Sequence, residues 1–181
     1  MAQTRIAVAS LSDLDDVLLV ERAAFGRDGE AVLVRDLLED LSASPALSLL
    51  AREDGRPVGH ILFTTVRLKE APHALRGALL APLAVVPDAQ GSGVGSRLVE
   101  RGPESLAESG VDLVFVLGSP GYYPRHGFEP AGRHGLAAPF PIAPEHDDAW
   151  MVRELRDGVI GSARGTVVCA DALSKPEYWR E

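Results

Sequence analysis

Gln90-Gly91-Ser92-Gly93-Val94-Gly95 sets three glycines at alternate positions, and such a run could hold an anion. An apolar stretch, Leu79 to Val86, precedes it, and Ser96-Arg97-Leu98-Val99-Glu100 follows. That order predicts a strand, a tight turn and a helix N-terminus. The first amides of a helix have no intrahelical acceptor, and the positive end of the helix dipole lies there. Glycine lets a ligand approach those amides because no Cβ stands in the way. A phosphate or pyrophosphate is the natural occupant. The spacing excludes two common phosphate loops. A P-loop would need Lys after its last glycine, where Ser96 stands, and a dinucleotide fingerprint would space its glycines as G-x-G-x-x-G.

A second stretch carries phenols. The β-branched run Val111-Asp112-Leu113-Val114-Phe115-Val116-Leu117 suits a buried parallel strand. Behind it come Gly118-Ser119-Pro120-Gly121-Tyr122-Tyr123-Pro124-Arg125-His126-Gly127-Phe128. A phenol near pKa 10 can donate a hydrogen bond or a proton to a nascent thiolate.

The two stretches together carry a family resemblance. Gln90-x-x-Gly93-x-Gly95 resembles the [QR]-x-x-G-x-[GA] pyrophosphate loop of the GNAT N-acetyltransferases. Tyr123-x-x-x-Gly127-Phe128 resembles that family's second signature. They occur in the expected order, with a helix and a strand between them. The resemblance spans roughly residues 2 to 155, and the phrase Val116 to Phe128 looks most similar to the YhbS-like bacterial subgroup. It implies an acyl-CoA N-acyltransferase fold: an α/β, mostly antiparallel, twisted mixed sheet with helices on both faces and a splay between strands four and five. It also implies acetyl-CoA as co-substrate. The pyrophosphate would lie on Gln90, Gly91, Ser92, Gly93, Val94, Gly95 and Ser96, and the pantetheine arm along Leu83, Ala84 and Val85. Tyr123 takes the place of the general acid that protonates the departing sulfur, and Tyr122 is its rival and a cofactor contact. Ser119 stands where many relatives carry an Asn that bonds the pantetheine arm. The strand-four Glu that serves several relatives as a base has no counterpart among Leu79, Leu80, Ala81, Leu83 and Ala84. Glu21 on an apolar helix face and His60 on a strand are the remaining candidates, with a structural role as the alternative for each. His126 reads as a surface residue.

Composition bounds the rest. The 181 residues are 46% hydrophobic, enough for one sizeable core. A net charge of −8 argues against a nucleic-acid partner. Cys169 is the single cysteine, so no disulfide can close within the chain and neither a cysteine zinc site nor another metal is expected. No stretch approaches a membrane span or a secretory leader, which predicts a cytoplasmic protein with no membrane partner.

The elements that must position these residues follow from periodicity. Arg5–Val8 opens as a strand. Ser12 caps a helix running to Phe25, with Leu14, Val17, Leu18 and Glu21 on one side. A second helix over residues 30–41 carries Leu33, Leu37, Leu38 and Leu41. Leu47–Arg52 and Pro57–Arg67 form a hairpin about Asp54-Gly55. Glu70 to Gly77 links to the fourth strand. Gly102-Pro103 predicts a kinked helix, or two short ones, behind the glycine loop. A loop-like stretch through Pro139, Pro141 and Pro144 leads to a closing strand at 148–155. The order is βααβββαβαβ. Residues 1–155 form the N-acetyltransferase domain, and 156–181 form a short extension that packs on it.

Function then divides in two. The first reading is transfer of an acetyl group from acetyl-CoA to a primary amine of a small molecule or peptide. The alternative is a non-catalytic acyl-CoA-binding regulatory module, suggested by the missing strand-four carboxylate and by Ser119. The acceptor would meet the first two helices, the loop Gly26-Arg27-Asp28-Gly29 and the segment His134 to Trp150, which carry no readable motif. Relatives commonly form homodimers, which these residues do not decide.

Overall fold

A computed structural model describes residues 3–70 and 75–180. Chain order is β1 (Thr4–Val8), α1 (Leu14–Phe25), α2 (Gly29–Glu39), β2 (Leu47–Glu53), β3 (Arg56–Leu68), β4 (Gly77–Val85), α3 (Val94–Glu108) and β5 (Leu113–Leu117). Short strands β6 (Glu129–Pro130) and β7 (Leu136–Ala137), then β8 (Trp150–Glu154) and β9 (Gly165–Val168), complete it. The main sheet runs β1-β2-β3-β4-β5-β8-β6, and β9 joins the far end of β3 and pairs with β7. Within the main sheet every neighbouring pair is antiparallel except β4 and β5.

Residues 58–64 of β3 are buried without interruption, as expected of a central strand covered on both faces. One face meets α3, where Gly59 packs on Val94 and Leu98 and Phe63 packs on Gly102. The other face lies under α1 and α2, whose buried residues Val17, Val20, Val34 and Leu37 repeat at helical spacing. Asp54 and Gly55 both have positive φ (49° and 85°), the conformation that matches a two-residue hairpin to the strand twist.

Several expectations shift. The cap at the first helix begins at Ser10 rather than Ser12: the Ser10 amide donates to Asp13 Oδ2 at 2.8 Å. Arg52 then ties this start to β2 through Asp13 and Asp16 at 3.0 and 2.7 Å. The second helix ends at Glu39, which leaves Leu41 91% exposed and outside the core. Pro103 does not divide α3, which is continuous over 15 residues. A Cβ on Gly102 would stand 2.2 Å from the Phe63 ring, so close packing of the helix on β3 outweighs the poor propensity of the pair. Between β5 and the closing strand stands a 3-10 turn, Tyr123–His126, where an α-helix was expected. The link from Glu70 to Gly77 includes residues 71–74, which lie outside the described residues. Among the described residues, no helix is long and apolar enough to cross a membrane.

Candidate active site

The glycine run does form a strand-turn-helix junction. Val86 leads into a 3-10 turn, Pro87–Ala89, and Gly91 and Gly93 take φ of 77° and 93°, values that side chains rarely adopt. Gly93 caps α3, and Arg97 donates to the Gly93 carbonyl at 3.1 Å. The amides of Val94, Gly95 and Ser96 precede that bond and point out of the first turn. Side chains brace the loop from behind: Gln90 Nε2 donates to the Val85 carbonyl at 3.0 Å, and Ser92 Oγ donates to that of Ala89. Gly95 and Ser96 line a groove of about 540 Å³, together with Leu83, Val85, Tyr122, Arg125 and the loop. A Cβ on Gly95 would meet the Tyr122 hydroxyl at 3.3 Å and Val85 at 3.6 Å, so the helix start, strand end and phenol converge there.

The groove leads to a gap in the sheet. β4 and β5 pair from Gly77↔Leu113 to Leu80↔Val116, and the pairing stops there. Beyond it β4 keeps its bonds to β3 at Leu83, Ala84 and Val85. The β3–β4 register shifts by one residue at this point, so Ala81 and Pro82 together face Leu62, as in a β-bulge. Pro82 has no N–H to donate, which suits a strand edge left without a neighbour.

Tyr122 and Tyr123 part company. Tyr122 lines the groove, with the Arg125 guanidinium 5.1 Å above its ring. Tyr123 is 8% exposed and packs edge-on against Tyr122 and Phe128. Its ring would lie 2.4 Å from a Cβ on Gly118, so glycine is what seats it at the end of β5. Burial, and then the neighbouring Tyr122, hold its phenol well above the ordinary range, so it stays protonated at neutral pH. Ser119 builds the turn that presents both rings: its carbonyl accepts the amides of Tyr122 and Tyr123, and its hydroxyl accepts that of Gly121 at 3.2 Å.

On the opposite face lies a buried polar chain. His60 Nδ1 meets Glu21 Oε1 at 2.6 Å and His60 Nε2 meets Ser48 Oγ at 2.8 Å. Glu21 and His60 are both 0% exposed, and Glu21 Oε2 has no partner among the described residues. Burial raises the Glu21 carboxyl, while the His60 hydrogen bond pulls it back. The chain joins α1 to β2 and β3, and neither group lines the groove.

Of the residues expected to hold the cofactor, Leu83, Val85, Gln90, Gly91, Gly93, Gly95, Ser96 and Tyr122 line the groove. Ala84, Ser92, Val94 and Ser119 do not, and neither does Tyr123, the expected general acid. Ala84 is paired with His60 and buried, and Val94 is buried beside Gly59. His126 is half-buried, not a surface residue; its ring lies 5.2 Å from that of Tyr122 and burial lowers its pKa. Arg125 is the residue that sequence reasoning missed. It occupies a variable place in the tyrosine signature, so only its cation beside a phenol could have drawn notice. Among the described residues, no three His, Cys, Asp or Glu side chains gather as a metal site. Cys169 is buried with its thiol pushed up to about 11.

Comparison with known proteins agrees with this geometry. Residues 44–130 match the acetyltransferase (GNAT) domain family. The chain is 50% identical over 165 residues to the N-acetyltransferase YjhQ of Escherichia coli K12, covering 91% of each. It is 37% identical over 153 residues to the N-acetyltransferase YhbS of the same strain, covering 84% of this chain and 86% of that one. The crystal structure of E. coli YhbS in complex with CoA superposes with a TM-score of 0.86 at 31% identity, over 97% of this chain and 94% of that one. A GNAT family acetyltransferase from Brucella melitensis in complex with acetyl-CoA gives a TM-score of 0.71 at 26% identity, over 94% and 98%.

Proposed function

The chain belongs to the GNAT N-acetyltransferases, and from that premise we propose that it transfers an acetyl group from acetyl-CoA directly to a primary amine of a small molecule or peptide. One observation carries the reading: the first turn of α3 at Gly95 and Ser96 opens on a groove whose other wall is β4 at Leu83 and Val85, beyond the point where β4 and β5 part. The groove fits a long anionic thioester. Glycine leaves room at its phosphate end, Arg125 supplies a cation, and among the described residues the edge of β4 at Leu83 to Val85 has no strand beside it on the β5 side. The CoA-bound YhbS and acetyl-CoA-bound Brucella structures support the same choice of co-substrate.

The chemistry asks little of the protein beyond position. Groove and strand edge hold the thioester still, which converts a bimolecular attack into a local one. The amine nitrogen bonds to the acetyl carbon, the carbon–sulfur bond breaks, the nitrogen loses a proton and the sulfur gains one. Tyr123, packed against Tyr122 at the end of β5, is a phenol that remains protonated and would be the donor of a hydrogen bond to the leaving sulfur. Glu21 and His60 bond to each other inside the fold and neither lines the groove, so the amine reaches its neutral form through solvent. Tyr123→Phe should lower kcat by about 100-fold, the low end of the range for a positioned proton donor. CoA affinity, read by calorimetry, should change less than about threefold. An unchanged kcat would remove Tyr123 from the reaction.

A further inference from the structure

We infer that the C-terminal strap completes the acceptor site: Leu173, Tyr178 and Trp179 close an apolar pocket at the apex of the β4–β5 gap, and this pocket selects amines that carry a short uncharged aliphatic group. The inference deepens the transferase reading and rests on it. The CoA groove occupies the α3 face of the sheet, so a nucleophile must reach the thioester from the other face, through the opening where strand pairing ends. A cavity of about 120 Å³ sits there. Its walls are residues 79–81 of β4, Leu117 at the end of β5, and the three strap residues.

Register assigns the cavity its face. Leu79 lies opposite both Thr64 and Phe115, and Leu117 lies opposite Trp150. Phe115 stacks on Trp150 at 5.2 Å, and Trp179 meets Trp150 edge-on at 5.6 Å. The strap therefore continues an aromatic layer on the α1/α2 side. It is also pinned. Ser42 Oγ accepts the Asp171 amide at 2.8 Å, Asp40 Oδ2 accepts the Ala172 amide at 2.9 Å, and Trp179 Nε1 donates to the Leu173 carbonyl at 2.9 Å. Asp40 and Ser42 follow α2, so the wall is fastened to the body of the fold.

Size and chemistry limit the occupant. A dry cavity of about 150 Å³ accepts benzene, so this smaller one fits a group smaller than benzene, a branched chain of about three or four carbons. Among the described residues no charged side chain lines it. An apolar pocket disfavours an ammonium ion beside it, which favours the neutral amine that must attack. A second cation, as in a diamine, would be left without a partner there.

The test measures CoA release from acetyl-CoA with isobutylamine, ethylamine, 2-phenylethylamine and 1,4-diaminobutane, using the full chain and two variants. In the parent, kcat/KM for isobutylamine should exceed that for ethylamine and for 1,4-diaminobutane by at least about tenfold, since one methylene in an apolar pocket is worth about tenfold or more. Leu117→Phe fills the pocket and should cost isobutylamine at least about tenfold, with the KM for acetyl-CoA held within about twofold. Tyr178→Ala, at a half-exposed position, should move the preference toward 2-phenylethylamine and serves if Leu117→Phe folds poorly. Transfer at equal rates to all four amines, or equal slowing of all four by Leu117→Phe, overturns the pocket and leaves the transferase reading standing. CoA binding without transfer to any of them overturns the acceptor class as well. Absence of CoA binding overturns the transferase reading itself.

Discussion

The α3 face of the sheet and the face under α1 and α2 are made of different materials. The first is assembled from one stretch of chain, Leu83 to Ser96, with Tyr122 and Arg125 added from the next loop. Its working groups are main-chain amides and the empty space at glycine. The second joins segments far apart in the chain: Glu21 with His60 and Ser48 in the interior, and residues 171–179 laid across β4 and β5. Its working groups are side chains. An anion is held by geometry that a turn can encode locally, whereas a pocket for a neutral group exists only after distant walls have met.

That contrast can be broken from either side. The largest effect should come from Gly95→Leu, which drives a side chain into the space shared by Tyr122 and Val85. CoA affinity should fall about 1,000-fold, or about 4 kcal/mol, as read by calorimetry. The melting temperature should move little because the site is a groove and not core. If binding survives, the cofactor face does not work through its backbone. Arg125→Ala should weaken CoA about tenfold, and raising the salt concentration should narrow the gap between parent and variant, as expected for a charge at a solvent-open groove. An equal gap at low and high salt would make Arg125 a packing residue on Tyr122.

The smallest effect belongs to the opposite face, and it is a trend with pH. The Glu21 carboxyl is raised by burial, so the folded chain holds this proton more tightly than the unfolded chain does. Its contribution to stability is complete below the ordinary glutamate range and declines as pH rises through the raised value. Glu21→Gln does not titrate. The stability of the parent relative to Glu21→Gln, from urea melts, should therefore fall as pH increases across that window. A difference that grows with pH would mean that His60 governs the pair, with the carboxylate charged and stabilised. In both cases CoA affinity should stay near that of the parent.

Much of the cofactor face was legible because turns, caps and strand runs are written in neighbouring residues. Gln90 to Ser96 reads as a strand-turn-helix junction from its glycines alone, and Asp54-Gly55 marks its hairpin. Errors arose where packing outweighed propensity. Gly102-Pro103 looks like a break and is instead a contact with Phe63 from a strand some forty residues earlier. Leu41 looks like core on a helical wheel, yet α2 stops short of it. Glu21 looked like a misplaced charge because its partner, His60, comes from another element. The signature singles out Tyr123 but does not say which of Tyr122 and Tyr123 lines the groove, since the space left by Gly118 decides which ring is buried.

The sequence by itself determined the family, the glycine turn and the phosphate-binding helix start, because each depends on backbone conformations that a few adjacent residues impose. Tertiary structure alone decided which tyrosine faces the groove, that Glu21, His60 and Ser48 form one buried chain, and that Tyr178 and Trp179 wall the gap between β4 and β5. The physical reason is range. A hydrogen-bonded turn closes within a handful of residues, whereas a cavity is the space that separate parts of a chain fail to fill once the rest of them have packed.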